Sequence, residues 1–183
     1  MQQLIEDVAN ACAAIDASGV PFKAFQPGVG PYGEPQLVKQ IAAHLNCLPA
    51  YRGRAASKRT PDLLISNLWA LEFKIARPFG DNGAEAENWS VNLLHPYPGN
   101  VSVYADCLKL RNWGGTERRA AVVVGFEHAT PVIPLDPLFD AFEAVATRLL
   151  PFATGVRSET RRIGLRHPVH SVVRVIGWEV PAA

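Results

Sequence analysis

Asp62, Glu72 and Lys74 fall within thirteen residues of one another and have the types that phosphate chemistry uses. Asp62 follows Thr60-Pro61 and opens the apolar run Leu63-Leu64-Ile65, while Glu72 and Lys74 flank Phe73 in Leu71-Glu72-Phe73-Lys74. Two carboxylates can hold a hard divalent ion, Mg²⁺ with Mn²⁺ as a substitute, without saturating it. Positions then remain for water and for a phosphate oxygen. Such an ion lowers the pKa of its water and offsets the negative charge that builds at phosphorus. A neighbouring amine can orient or help deprotonate that water, or stabilise the transition state by its charge. The Phe73 carbonyl, between the two side chains, is a third candidate metal ligand beside Asp62 and Glu72.

These groups need a strand pair to position them. Alternation along a strand puts Glu72 and Lys74 on one face and Leu71 and Phe73 on the other. Ser66-Asn67 between the two apolar runs predicts a tight turn, hence a hairpin that carries Asp62 toward the Glu72 face.

Pro61-Asp62, nine intervening residues, then Glu72-Phe73-Lys74 resembles the signature of the PD-(D/E)XK, or restriction-endonuclease-like, nuclease superfamily. The resemblance implies an α/β fold with a three-layer α/β/α core around a mixed central sheet, in the order helix, three strands, helix, strand. It also implies metal-dependent hydrolysis of DNA phosphodiester bonds, in settings such as restriction, repair or phage defence. Many members place an acid on the helix before the hairpin, a role that Glu34 matches by position. The catalytic set expected from the resemblance is therefore Asp62, Glu72, Lys74 and Glu34.

The flanking elements follow from periodicity. Leu4, Ile5, Val8, Cys12 and Ile15 predict a helix to Ser18, stopped by Gly19. After a Gly- and Pro-rich connector, Pro35 with Leu37, Val38, Ile41 and Leu45 predicts a second helix ending near Asn46. The first strand of the core has only Leu48–Tyr51 to occupy. A polar stretch from Ile75 to Asn100 precedes a helix starting at Asn100 or Ser102 and running to about Asn112. Ala120–Phe126 reads as a buried central strand, Asp136-Pro137 opens a helix, and Ser171–Val180 is a last strand. One domain covers 1–183, with the core at 34–126, the first helix at 1–18 and a helix-strand extension at 128–183.

Arg52, Arg54, Lys58 and Arg59 lie just before Asp62 with no acid among them, and are candidates for nucleic-acid phosphate contact or a solvated loop. Arg157, Arg161, Arg162 and Arg166 form a second basic stretch, read as solvated more readily than as phosphate-binding. Asp106 and Lys109, three apart on a helix, read as a surface ion pair, although Lys109 could reach a phosphate. His167-Pro168-Val169-His170 lacks a metal-ligand spacing and reads as a turn. No nucleophile elbow, P-loop or dinucleotide fingerprint is present in the sequence.

Composition bounds the partners. With 48% hydrophobic residues in 183, the chain can build a core, which excludes disorder as the main reading. The 18 Lys and Arg nearly cancel 17 Asp and Glu, so the surface as a whole does not bind nucleic acid by net charge, though a local basic groove would. Cys12, Cys47 and Cys107 have no paired spacing and read as buried thiols in a reducing compartment. No signal segment or membrane-length apolar run is found, so we expect a cytoplasmic protein with no membrane partner. The expected partner is DNA, with a second copy of the chain or a partner protein to complete recognition. The alternative is a non-catalytic nucleic-acid-binding or assembly module on the same fold.

Overall fold

A computed structural model describes residues 1–97 and 101–183. Among them the element order is α1 (Gln2–Ala17), α2 (Glu34–Cys47), β1 (Ala55–Ser57), β2 (Leu63–Ile65), β3 (Trp69–Ala76), α3 (Val91–Leu94), α4 (Val103–Arg111), β4 (Arg118–Glu127), α5 (Asp136–Leu149), β5 (Ser158–Ile163) and β6 (Val172–Val180). The fold is mixed α/β, with one six-stranded sheet in the order β1-β2-β3-β4-β6-β5. Only β3 and β4 pair in parallel; the other neighbours are antiparallel. A parallel pair requires a crossover, and α3 and α4 supply it.

Apolar alternation decides which helices each sheet face receives. Leu63, Ile65, Leu71, Phe73, Val122, Val124, Val173 and Val175 form one buried cluster with α1 and α2 through Ile5, Val8, Leu37 and Ile41. Ala70, Ala76, Ala121, Val123, Ile176 and Trp178 form a second cluster with Leu93, Tyr104, Cys107, Leu110, Phe139 and Phe142 of α3, α4 and α5. Apolar side chains are therefore needed on both sides of β4, which accounts for its unbroken Ala120–Val124 run. Gly177 lets the start of α1 approach β6, since a Cβ there would lie 2.8 Å from Ile5 Cδ1.

The structure corrects several expectations. The first strand is Ala55–Ser57 and not Leu48–Tyr51. Asn46 on α2 fixes it, its side chain donating to the Ala55 carbonyl at 2.7 Å and accepting from the Ala55 N–H at 3.0 Å. A side-chain ladder of this kind leaves no apolar alternation to read. Two short elements, α3 and β5, carried no periodic signal. The segment after His128 adds β5 and β6 to the same sheet. The crossover helix starts with Ser102, whose Oγ accepts from the Ala105 N–H; the other expected start, Asn100, lies outside the described residues. All three cysteines are free, but Cys47 is exposed where a buried thiol was expected. No described helix is long and apolar enough to cross a membrane.

Two buried histidines tie the segment after β3 to the β5–β6 connection. The rings of His167 and His170 stack with centroids 4.5 Å apart. His167 Nε2 lies 2.6 Å from Asp81 Oδ1, and His170 Nε2 lies 2.9 Å from the Phe79 carbonyl. Burial pushes the pKa of His170 down to about 4, with His167 and Arg77 adding repulsion and Asp81 opposing it. An unfolded histidine binds its proton near pH 6.5, so between pH 6.5 and 4 the unfolded chain holds more protons and stability falls as pH falls. We expect His170→Gln, which keeps a donor for Phe79, to reduce this acid-side loss by on the order of 2–3 kcal/mol. Urea unfolding at pH 7 and pH 4 measures it, and an unchanged pH slope in the variant would refute the assignment.

Candidate functional site

The site begins where the β2–β3 ladder ends. Leu63 pairs with Leu71 and β2 goes no further, so the Phe73 backbone projects toward an edge without a ladder partner. Side chains take the vacant roles. Asp62 Oδ2 accepts from the Phe73 N–H at 2.8 Å, and Lys74 Nζ donates to the Phe73 carbonyl at 2.7 Å. One step beyond the Leu63–Leu71 pair, Asp62 comes opposite Glu72, as the hairpin predicted. Asp62 is partly accessible, whereas Glu72 and Lys74 are buried on the face covered by α4.

Helices complete the cluster from both sides. Glu34, in the first turn of α2 behind the Gly33 cap and beside Pro35, lies 3.5 Å from Lys74 Nζ. Asp106 comes from α4, where Val103, Cys107 and Leu110 pack into the sheet and turn it inward. Its Oδ2 lies 2.8 Å from Lys74 Nζ and its Oδ1 accepts from Lys109 Nζ at 2.7 Å. This overturns the surface ion pair expected of Asp106 and Lys109: Asp106 is 1% exposed, and only the Lys109 end reaches solvent. Its link to Lys74 had no sequence signal, because 31 residues of crossover separate the two.

Four carboxylates thus surround two ammonium groups. Burial pushes the Glu72 carboxyl up to about 8, and the negative charges of Asp62 and Asp106 push in the same direction. Glu34 is also raised, first by burial and then by Asp62 and Asp106, with Lys74 opposing. Burial alone would lower the pKa of Lys74, yet Asp106 and Glu34 more than offset it and hold the ammonium above its ordinary value. Lys109 is raised likewise, its desolvation outweighed by Asp106. Lys74 is accordingly a fixed cation here and not a base.

The donor set suits a hard divalent ion. Asp62 is partly accessible, the Phe73 carbonyl has a second lone pair, and Glu72 is a carboxyl crowded by like charge. Among the described residues no three His, Cys, Asp or Glu side chains gather into a ready-made metal cage. Mg²⁺ is normally held by one or two carboxylates with water and substrate phosphate completing its shell, which this arrangement allows.

The two basic stretches separate. Arg52, Arg54, Lys58 and Arg59 are all exposed around β1, with no ion-pair partner among the described residues. Arg157 instead pairs with Asp140 and Glu143, Arg162 bonds Asn10, and Arg166 donates to the Ala17 carbonyl. Those three side chains hold the fold together; Arg161 remains exposed on β5. No protein-family model, curated protein or solved structure matches the chain.

Crowding and pairing give opposite expectations for two acids. Glu72→Gln removes repulsion while keeping shape, and should stabilise the metal-free protein at neutral pH by about 1 kcal/mol. Asp106→Ala removes the carboxylate nearest to Lys74 and leaves its buried ammonium with Glu34 at 3.5 Å, which should cost about 3 kcal/mol. Denaturant melts in EDTA test both, and equal signs for the two variants would contradict the charge arrangement.

Proposed function

We propose that the protein is a Mg²⁺-dependent nuclease that hydrolyses DNA phosphodiester bonds, with Mn²⁺ able to replace Mg²⁺. The observation that carries this reading is the convergence of Asp62, Glu72, Lys74 and Glu34 at one strand edge, with unpaired basic side chains on the loop leading into it. The two helix-bearing sheet faces support a three-layer restriction-endonuclease-like core, in keeping with the resemblance of Pro61-Asp62 and Glu72-Phe73-Lys74 to that superfamily.

Asp62, Glu72 and the Phe73 carbonyl would hold the metal. When bound, it supplies a Lewis acid that makes water a better nucleophile and offsets charge on the phosphate. The chain's own groups do the rest. Lys74 stays protonated, held by Asp106 and the Phe73 carbonyl, and presents a positive charge where a non-bridging phosphate oxygen gains negative charge. Glu34, the more exposed acid, is placed to orient the attacking water by accepting its proton in a hydrogen bond. The water oxygen bonds to phosphorus and releases a proton to solvent, one ester P–O bond breaks, and the leaving sugar oxygen takes a proton from solvent.

Arg52, Arg54, Lys58 and Arg59 would bind phosphates without reading sequence, and Lys109 would add a contact at the mouth of the site. Cutting both strands of a duplex calls for a second copy of the chain, or a partner protein to choose the target. Cytoplasmic DNA is the substrate this reading implies.

Purified protein should cut plasmid DNA with Mg²⁺ or Mn²⁺ and not with EDTA. Lys74→Ala should lower the rate by about a hundredfold or more. Equal cutting by wild type and variant would assign the activity elsewhere. No cutting, with no Mn²⁺ binding that depends on Asp62 and Glu72, would favour a non-catalytic module.

A further inference from the structure

Just past the end of β3, a second cation occupies a different place. Arg77 lines a cavity of about 320 Å³ together with Phe79, Asp81, Trp89 and Asn92. Its Nη1 donates to the Gly30 carbonyl at 2.6 Å, and no carboxylate among the described residues pairs with it. Burial lowers its pKa, and no neighbouring charge compensates. Asp81 is the acid on the wall, but its Oδ1 is taken up by His167 Nε2. A largely desolvated guanidinium that lines a cavity and pairs with no carboxylate among the described residues can take an anion brought from outside.

The cavity's chemistry is not that of an anion alone. Trp89 and Phe79 give aromatic surface, and Asn92 adds an amide that both donates and accepts. A planar ring beside a phosphate is the ligand that uses all of these, and base stacking on aromatic side chains accepts any base. The volume is at the small end of ligand pockets, room for one nucleotide and not for a duplex.

Position links the cavity to the proposed active site. Its wall includes Ile75, next to Lys74 in the chain, and Pro31, three residues before Glu34. Arg77 is three residues past Lys74 on an extended segment, a separation of about 10 Å. Odd positions of β3 face the α1/α2 layer and Lys74 faces α4, so a strand running from Lys74 to Arg77 passes round the end of β3.

We infer that this cavity is a nucleotide subsite, in which Arg77 takes a phosphate of a single strand and Trp89 and Phe79 receive its unpaired base. The inference rests on the nucleic-acid reading above, but not on catalysis. It implies that the substrate strand is unpaired where it passes the end of β3, at an end, a gap or a locally opened duplex.

The test is fluorescence anisotropy with a labelled twelve-nucleotide oligothymidylate in EDTA, over a range of salt. Arg77→Gln and Trp89→Leu should each weaken binding about tenfold. Only Arg77→Gln should also reduce the salt slope, by about 0.7. Asn92→Asp, at an exposed position that should leave folding intact, puts a negative charge in the cavity and should weaken binding at least as much. Arg161→Gln, on the far edge strand, should bind as wild type. Should all three cavity variants bind like wild type, or wild type not bind the oligonucleotide, the subsite is overturned. Lys74-dependent plasmid cutting alongside unaffected cavity variants would sink the subsite and leave the nuclease. Cavity-dependent binding without any metal-dependent cutting would keep the subsite and remove the nuclease.

Discussion

The Phe73 peptide unit is the constraint around which the rest is arranged. A strand at this position should have its N–H and carbonyl in a ladder, and β2 is too short to provide one. Leaving both groups buried without partners would cost a few kcal/mol, so something charged or polar must come to that edge. Asp62 satisfies the N–H and Lys74 the carbonyl. The same two contacts fix a carboxylate and an ammonium along the one open edge of the strand at Phe73. Shortening a strand has thereby become a way to hold reactive groups rigidly, with the parallel β3–β4 pair behind them and two helical faces around them.

Lys74 cannot sit there alone. Its ammonium is nearly buried, and the desolvation that this entails must be answered by anions. Glu34 comes from one helical layer and Asp106 from the other, so the lysine draws α2 and α4 to the same point of the sheet. The crowd of carboxylates then overshoots, since Glu72 and Glu34 are both driven toward their neutral forms. Local excess of acid over base is unfavourable for folding and favourable for capturing a cation. This is the ordinary conflict between stability and function in a binding site.

Periodicity made most of this legible in the sequence. The hairpin, α2, α4, β4, α5 and β6 all have apolar residues at a regular spacing, and each appears within a few residues of its expected bounds. β1 was misplaced because it is held by Asn46, not by an apolar pattern; β5 is an edge strand of Ser, Glu, Thr and Arg that reads like a loop. The site divided in the same way. Asp62, Glu72 and Lys74 are close in sequence and were found together, as was Glu34 by its helix. Asp106 reads in sequence as half of a surface pair, since helical spacing shows what lies beside a residue and not what a crossover folds onto it. His167 and His170 read as turn residues and do lie in a bend, and the structure adds that this bend is buried against the segment after β3.

A net charge of +1 hides how the charges are sorted. Acid is concentrated inside, where Glu34, Asp62, Glu72 and Asp106 outnumber Lys74 and Lys109. Base is concentrated outside, in the exposed Arg52, Arg54, Lys58 and Arg59, and again in Arg77 at the cavity. A polyanion meeting this surface is attracted at the rim and repelled at the centre unless a cation lies between. Under the proposed function that sorting would make binding and bond cleavage separable: the rim and the cavity would hold a strand by themselves, while the centre would tolerate a phosphate only once its own excess negative charge had been neutralised. The near-neutral total thus averages an acidic cluster and a set of basic side chains that lie a few residues apart in the chain.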